Sequence, residues 1–182
     1  MGKKVYIFLA DGFEDIEGLT VVDLMRRAGI DIETVSIKES NEITTSHGIM
    51  MKTDRVFTGT DFSDADMLVL PGGMKYLGEY QPLCDLLRDF YGKSGKVAAI
   101  CAAPTVLASL GFLEGRKATA YPSCMEGLTG AEPSYESVVV DGNVTTSRGL
   151  GTAVDFALSL IGQLLGEEKA DEIAESVVYS RK

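Results

Sequence analysis

The chain has 182 residues, 45% of them hydrophobic, with 17 Lys+Arg against 27 Asp+Glu and a formal net charge of −10. That length and composition suit a single globular domain over residues 1–182 and exclude a disordered chain. The acidic balance argues against nucleic acid as a partner, and no apolar run approaches the roughly 20 residues that cross a bilayer.

Only six apolar residues separate Lys4 from Asp11. That is too short for a signal peptide, so Lys3–Ala10 reads as a first strand. Asp11-Gly12-Phe13 is a turn. Glu14–Ala28 reads as a helix, with Ile16, Leu19, Val22 and Met25 near one face and Gly29 closing it. Asp31–Ile37 is a second strand, which makes a βαβ unit, and Lys38–Asn41 is a polar turn. Ile43–Lys52 reads as a hairpin around Ser46-His47-Gly48.

Asp66–Leu70 is a buried strand that runs into Pro71-Gly72-Gly73. Leu77–Tyr91 reads as a helix with Leu83, Leu86, Leu87 and Phe90 on one side, and Gly95 separates it from the apolar run Val97–Ile100. A run without polar alternation suits a strand buried on both faces of a parallel sheet. Helix then follows over Thr105–Leu110, and a short strand and turn over Ala118–Pro122. Ser134–Val140 and Asn143–Ser147 form a hairpin joined by Asp141-Gly142. Thr152–Leu165 and Glu167–Tyr179 are the closing helices. Strands alternating with helices predict an α/β fold, a mostly parallel sheet covered on both faces.

Three cysteines without paired spacing argue for a reducing compartment, read here as the cytoplasm. One histidine and no CxxC or HxxxH spacing predict no metal centre and no bound cofactor.

Cys101 lies where a strand gives way to a helix, with Pro104 suited to the first helical turn. This is the geometry of a nucleophile elbow. The field of a helix N-terminus favours thiolate and predicts a lowered thiol pKa. The competing reading is a buried structural cysteine. Ligands in open parallel sheets bind beyond the carboxyl ends of strands. Asp11–Glu17, Gly72-Gly73 and Cys101 all fall there.

The N–H groups of Gly72, Gly73 and Ala102 are candidate donors to a developing oxyanion, or the glycines simply shape a tight turn. Glu14, Asp15 and Glu17 fall in one helical turn. Spacing leaves open which of them, if any, faces Cys101; a carboxyl there would have a raised pKa and would hydrogen-bond the sulfur when protonated. His47 reads as an exposed turn residue or a general base. Tyr121 reads as a half-buried aromatic, Ser147-Arg148-Gly149 as the approach to a helix, and Met50, Met51 and Met74 as packing or turn residues.

These motifs resemble the ThiJ/PfpI superfamily in its Parkinson-disease-protein branch, often called DJ-one. The likeness rests on Ala10–Glu17, Val22-Asp23 with Arg26–Gly29, Leu70–Gly73, Ala98–Pro104, and Thr146–Gly149 with Gly151-Thr152. It implies a flavodoxin-like α/β sandwich and a homodimer. It implies that Cys101 is the nucleophile, that Glu17 is the carboxyl beside it, and that the backbone around Gly72, Gly73 and Ala102 binds the oxyanion. Arg26 or Arg27 then lines this pocket or the dimer interface. Tyr121 stands where many members carry histidine, and Ala102 stands where protease-like members carry one. Without a Cys–His dyad, peptidase activity is not expected.

The implied function is stress protection against a small reactive carbonyl such as methylglyoxal, by glutathione-independent glyoxalase or deglycase-like chemistry at Cys101. The alternative is a redox sensor or chaperone governed by oxidation of Cys101. Cys124 sits in the loop bordering the nucleophile in that family; it is a small loop residue or a resolving cysteine, according to its distance from Cys101.

Overall fold

The computed structural model describes residues 2–73 and 75–181; Met74 lies outside them. The strands are β1 (Lys4–Leu9), β2 (Asp31–Ser36), β3 (Glu42–Thr44), β4 (Met50–Lys52), β5 (Arg55–Val56), β6 (Met67–Leu70), β7 (Lys96–Ile100), β8 (Lys117–Ala118), β9 (Glu132–Pro133), β10 (Val138–Asp141) and β11 (Val144–Ser147). The helices are α1 (Asp15–Arg27), α2 (Gln81–Gly92), α3 (Pro104–Ser109), α4 (Ala153–Leu165) and α5 (Glu167–Ser176). No helix among the described residues is long and apolar enough to cross a membrane.

Seven strands form one sheet in the order β10-β11-β7-β6-β1-β2-β5. Every neighbouring pair is parallel except the β10–β11 hairpin. From β2 through β1, β6 and β7 to β11 this is the flavodoxin-like winding, whose ligands bind where the strand order reverses. The reversal falls between β1 and β6, with β7 alongside.

The two-residue period of a strand sorts β1 onto both faces. Val5, Ile7 and Leu9 pack against residues of α1, α4 and α5. Tyr6 and Phe8 pack on the opposite side, with residues of α2 and α3. Phe156 and Phe8 are fully buried, one in each layer. Truncating either to alanine would cost about 3–5 kcal/mol.

Several boundaries differ from the sequence reading for local reasons. The helix expected from Leu77 is a 3₁₀ turn over Lys75–Glu79, and α2 begins only at Gln81, with Pro82 in its first turn. Proline fits the first turn, where its missing N–H costs nothing. The strand expected over Ser134–Val140 is confined to Val138–Asp141, and Asp141 pairs directly with Val144. The hairpin loop is therefore Gly142-Asn143, one residue later than expected, with Gly142 at φ 61°. A 3₁₀ turn over Leu150–Thr152 precedes α4, and α5 stops at Ser176.

Candidate active site

At the end of β7 the backbone turns sharply at Cys101, whose φ of 66° is unusual for a residue with a side chain. Such a conformation costs about 1–3 kcal/mol and persists only where the surroundings enforce it. They do so from two sides. The Cys101 N–H donates to the Ser147 carbonyl at the end of β11 (3.0 Å), and the Cys101 carbonyl accepts the Tyr121 N–H (2.9 Å). Thr105 Oγ1 donates to the Ala102 carbonyl (2.7 Å) at the start of α3. The turn from strand to helix expected at Cys101 is present, and the structure adds that its backbone is strained.

The start of α1 is tied to the loop after β6. The Glu14 N–H donates to the Gly72 carbonyl (2.9 Å), and Glu14 Oε2 caps the helix by accepting the Glu17 N–H (2.9 Å). The three carboxylates of this turn point to three different tasks, because successive helical residues are rotated by about 100°. Glu14 is the cap. Asp15 accepts hydrogen bonds from Thr45 and Ser46 and pairs with His47 Nδ1 (2.8 Å), which fastens α1 to the β3–β4 hairpin. Glu17, only 2% exposed, faces Gly72 and Cys101.

Gly72 makes that meeting possible. An added Cβ there would run into Glu17 Oε2 and the Cys101 Cβ, and would stand 3.1 Å from the Cys101 sulfur. Gly149 closes the opposite side: its added Cβ would lie 3.7 Å from Glu17 Oε1 and 3.3 Å from the Tyr121 ring. Gly73, at φ 121°, has no room for a side chain against Gly12, Phe13 and Glu14.

Burial pushes Glu17 up to about 7. The Cys101 thiol and the N–H groups of Gly72 and Leu150 oppose that rise, and the Glu14 charge adds to it. Glu17 Oε2 is buried without a hydrogen-bond partner of normal geometry. Burial and the Glu17 carboxylate push the Cys101 thiol up to about 12, while the Ala102 N–H draws it down. The lowered thiol pKa expected from the helix field is therefore corrected. Helix α3 is only six residues long, and desolvation beside a carboxylate outweighs its field. Glu17 is the first of the pair to ionise, and the thiol is then placed to give it a proton.

A cavity of about 410 Å³ opens beside the elbow, walled by Gly72, Gly73, Ala102, Val106, Ser123 and Cys124 among others. Of the candidate oxyanion donors, the Ala102 N–H acts on the sulfur and the Gly72 N–H on Glu17. Gly73 shapes the turn against Phe13. Tyr121 is 48% exposed and touches the site through its ring and its N–H.

Arg26 and Arg27 do not line this pocket. Arg26 pairs with Asp54 (2.7 Å) and Arg27 with Asp23 (2.8 Å), both in the last turn of α1. They lie nine and ten positions along the helix from Glu17, about 13 Å of rise or more. His47 is an exposed turn residue whose pKa is raised by its bond to Asp15. With Glu14 and Asp15 it forms a trio whose ligand atoms lie within 4.8 Å of one another. Asp15 is already occupied by three hydrogen-bonding neighbours, so the trio reads as a structural tie.

Two contributors escaped the sequence reading, the Ser147 carbonyl and the Leu150 N–H. Gly149, between them in sequence, was the available signal, since a glycine can mark close backbone approach.

A family model described as the DJ-1/PfpI family matches residues 3–163. Protein dj-1beta of Drosophila melanogaster is 38% identical over 186 residues, covering 99% of each chain. Protein DJ-1 homolog B of Arabidopsis thaliana is 39% identical over 182 residues; the match takes in 97% of this chain but 41% of that longer one. Among solved structures, oxidized Toxoplasma gondii DJ-1 superimposes with a TM-score of 0.95 at 31% identity, covering 99% of this chain and all of the other.

Proposed function

The chain belongs to the DJ-1/PfpI family, and from that premise we propose that it protects against stress by converting small reactive carbonyls through Cys101. The observation that carries this is a buried carboxyl with a pKa of about 7 set against a thiol on a strained elbow. A base is most effective when its pKa lies near the working pH.

In the proposed reaction the Cys101 sulfur bonds to the aldehyde carbon of methylglyoxal as Glu17 takes the thiol proton. The carbonyl electron pair moves to oxygen, near the Ala102 N–H, and the oxygen then takes the proton back from Glu17. This gives a hemithioacetal. Glu17 next carries the aldehyde-derived C–H proton to the neighbouring carbon while the hemithioacetal hydroxyl proton passes to the former ketone oxygen, forming the thioester of a hydroxy acid. Water hydrolyses the thioester, releasing lactate and restoring the thiol. Lactate formation by the purified protein tests this. Cys101→Ala abolishes it, and Glu17→Gln lowers it by about 10²–10⁴. Equal lactate from wild type and Cys101→Ala would discard the reading.

The second reading, a redox sensor or chaperone, is favoured by one feature. Tyr121 stands beside Cys101 where a histidine would assist carbonyl chemistry, and the one histidine of the chain is tied to Asp15. The same absence keeps peptide hydrolysis out of the proposal. The protein acts without metal or cofactor, in the cytoplasm, as a homodimer. A groove between α1 and the C-terminal segment, walled by Ile16, Leu19, Val154, Val177 and Tyr179, supports the dimer; Ile16 is 48% exposed in it.

A further inference from the structure

The elbow is followed in space by a second thiol. The Tyr121 N–H donates to the Cys101 carbonyl (2.9 Å), and the Tyr121 carbonyl accepts the Cys124 N–H (2.8 Å). The 3₁₀ turn Pro122–Gly127 thus folds back toward the elbow instead of leading away from it. Cys124 lies on the wall of the same cavity as Ala102 and Ala103, the two residues after Cys101. Both thiols are only partly buried. Cys84 differs: it is 4% exposed, and its S–H is directed at the Gly78 carbonyl (3.5 Å).

We infer that Cys124 is the resolving partner of Cys101, and that hydroperoxide closes a disulfide between them across the cavity. This goes beyond carbonyl turnover and rests only on the part of that reading which makes Cys101 the reactive thiol. The Cys101 sulfur attacks the peroxide O–O bond, which gives a sulfenic acid and an alcohol, or water when the oxidant is hydrogen peroxide. The Cys124 sulfur then attacks the Cys101 sulfur, hydroxide leaves with the Cys124 proton as water, and the S–S bond forms. The peroxide is the oxidant, and the two thiols supply both electrons.

A disulfide requires Cα atoms about 4.4–6.8 Å apart. Cys101 packs toward the α1 side of the sheet and Cys124 toward the α3 side, so the turn must move inward. The turn permits this, because none of its six residues is buried. It seats closely on α3 at Gly127, where an added Cβ would stand 2.9 Å from Thr105, and Cys124 and Met125 pack against the core, so closing the bond must lift these contacts. Closing the bond diverts Cys101 from further oxidation to sulfinate, which thiols do not reverse.

The test is peptide mapping of the full-length protein after stoichiometric hydrogen peroxide, quenched with iodoacetamide. Trypsin separates the two cysteines into residues 97–116 and 118–148. A non-reducing gel first isolates the monomer band. The expected product is the pair of peptides joined, about 2 Da lighter than their sum, in monomer, and released by dithiothreitol. Cys124→Ala then loses the linked species and accumulates sulfinate at Cys101. Sulfinate at Cys101 with Cys124 alkylated in the wild-type protein overturns the inference, as does a Cys101 bond found only between chains. An unmodified Cys101 overturns it together with the reactive-thiol reading, so the two failures are told apart.

Discussion

The Glu17 carboxyl and the Cys101 thiol meet across the space that Gly72 leaves empty, where an added Cβ would stand 3.1 Å from the sulfur. Two acids that close titrate as a pair. Glu17 is raised to about 7 and the thiol to about 12, so the pair holds two protons below neutrality and one above it.

Alkylation of Cys101 should therefore rise with pH through a midpoint near 7, below the ordinary thiol value of about 8.5. The carboxylate formed in that step is what accepts the thiol proton. In Glu17→Gln no such acceptor exists, and the midpoint moves above 8.5 because burial remains. Iodoacetamide labelling followed by mass spectrometry reads both. Superimposable profiles for the two proteins would show that Glu17 does not serve the sulfur.

The same shift makes Glu17 a cost to stability. Its folded value of about 7 lies above the ordinary 4.5. Between those two values the folded state keeps a proton that the unfolded chain has released. Stability thus falls as pH rises from 4.5 to 7, by about 3 kcal/mol. Glu17→Gln should be more stable than wild type at pH 8 and nearly equal to it at pH 4. Urea denaturation at the two pH values measures the difference. An equal gain at both would mean that ionisation is not its origin.

Gly72→Ala should cost about 1–3 kcal/mol, the usual penalty for overpacking, and should cost reactivity out of proportion to stability. The methyl group displaces Glu17 from the sulfur, so the labelling step near pH 7 disappears while the fold persists. A stable Gly72→Ala protein that keeps this step would contradict the geometry.

Sedimentation at micromolar concentration should find a dimer. Ile16→Glu, on the exposed rim of the α1 groove, should shift it toward monomer by placing a charge on that surface. A wild-type monomer would remove the proposal.

The frame of the molecule was readable because its signals are long and redundant. The apolar runs before Asp11, Pro71 and Cys101 became the buried strands β1, β6 and β7. Strand β5 was missed: two residues, Arg55 and Val56, hold no period. Pro82 was the overlooked stop that delays α2. At the site, spacing placed Cys101 on an elbow but left open which of Glu14, Asp15 and Glu17 served it. That choice depends on helix rotation and on the loop after β6, which packs there through Gly72. The thiol pKa was misjudged because a helix start is visible in sequence, whereas desolvation is not. Arg26 and Arg27 stand away from the pocket for a third reason: each pairs with a nearby acid, Asp54 from a distant loop and Asp23 one turn back, while Arg27 borders the α1 groove, which leaves its other expected place, the dimer surface, open.

The hydrogen bond from Cys101 to Ser147 has a consequence for biosynthesis. Cys101 leaves the ribosome 46 residues before the carbonyl that fixes its backbone, which is carried by the last residue of β11, the neighbour of β7 in the sheet. The Leu150 N–H that acts on Glu17 comes later still. For most of translation the cysteine is thus an ordinary thiol, without its enforced turn or its buried base. A nascent or truncated chain ending before Ser147 would carry the residues of the elbow without its enforced geometry, which forms only as the last strand of the sheet is laid down.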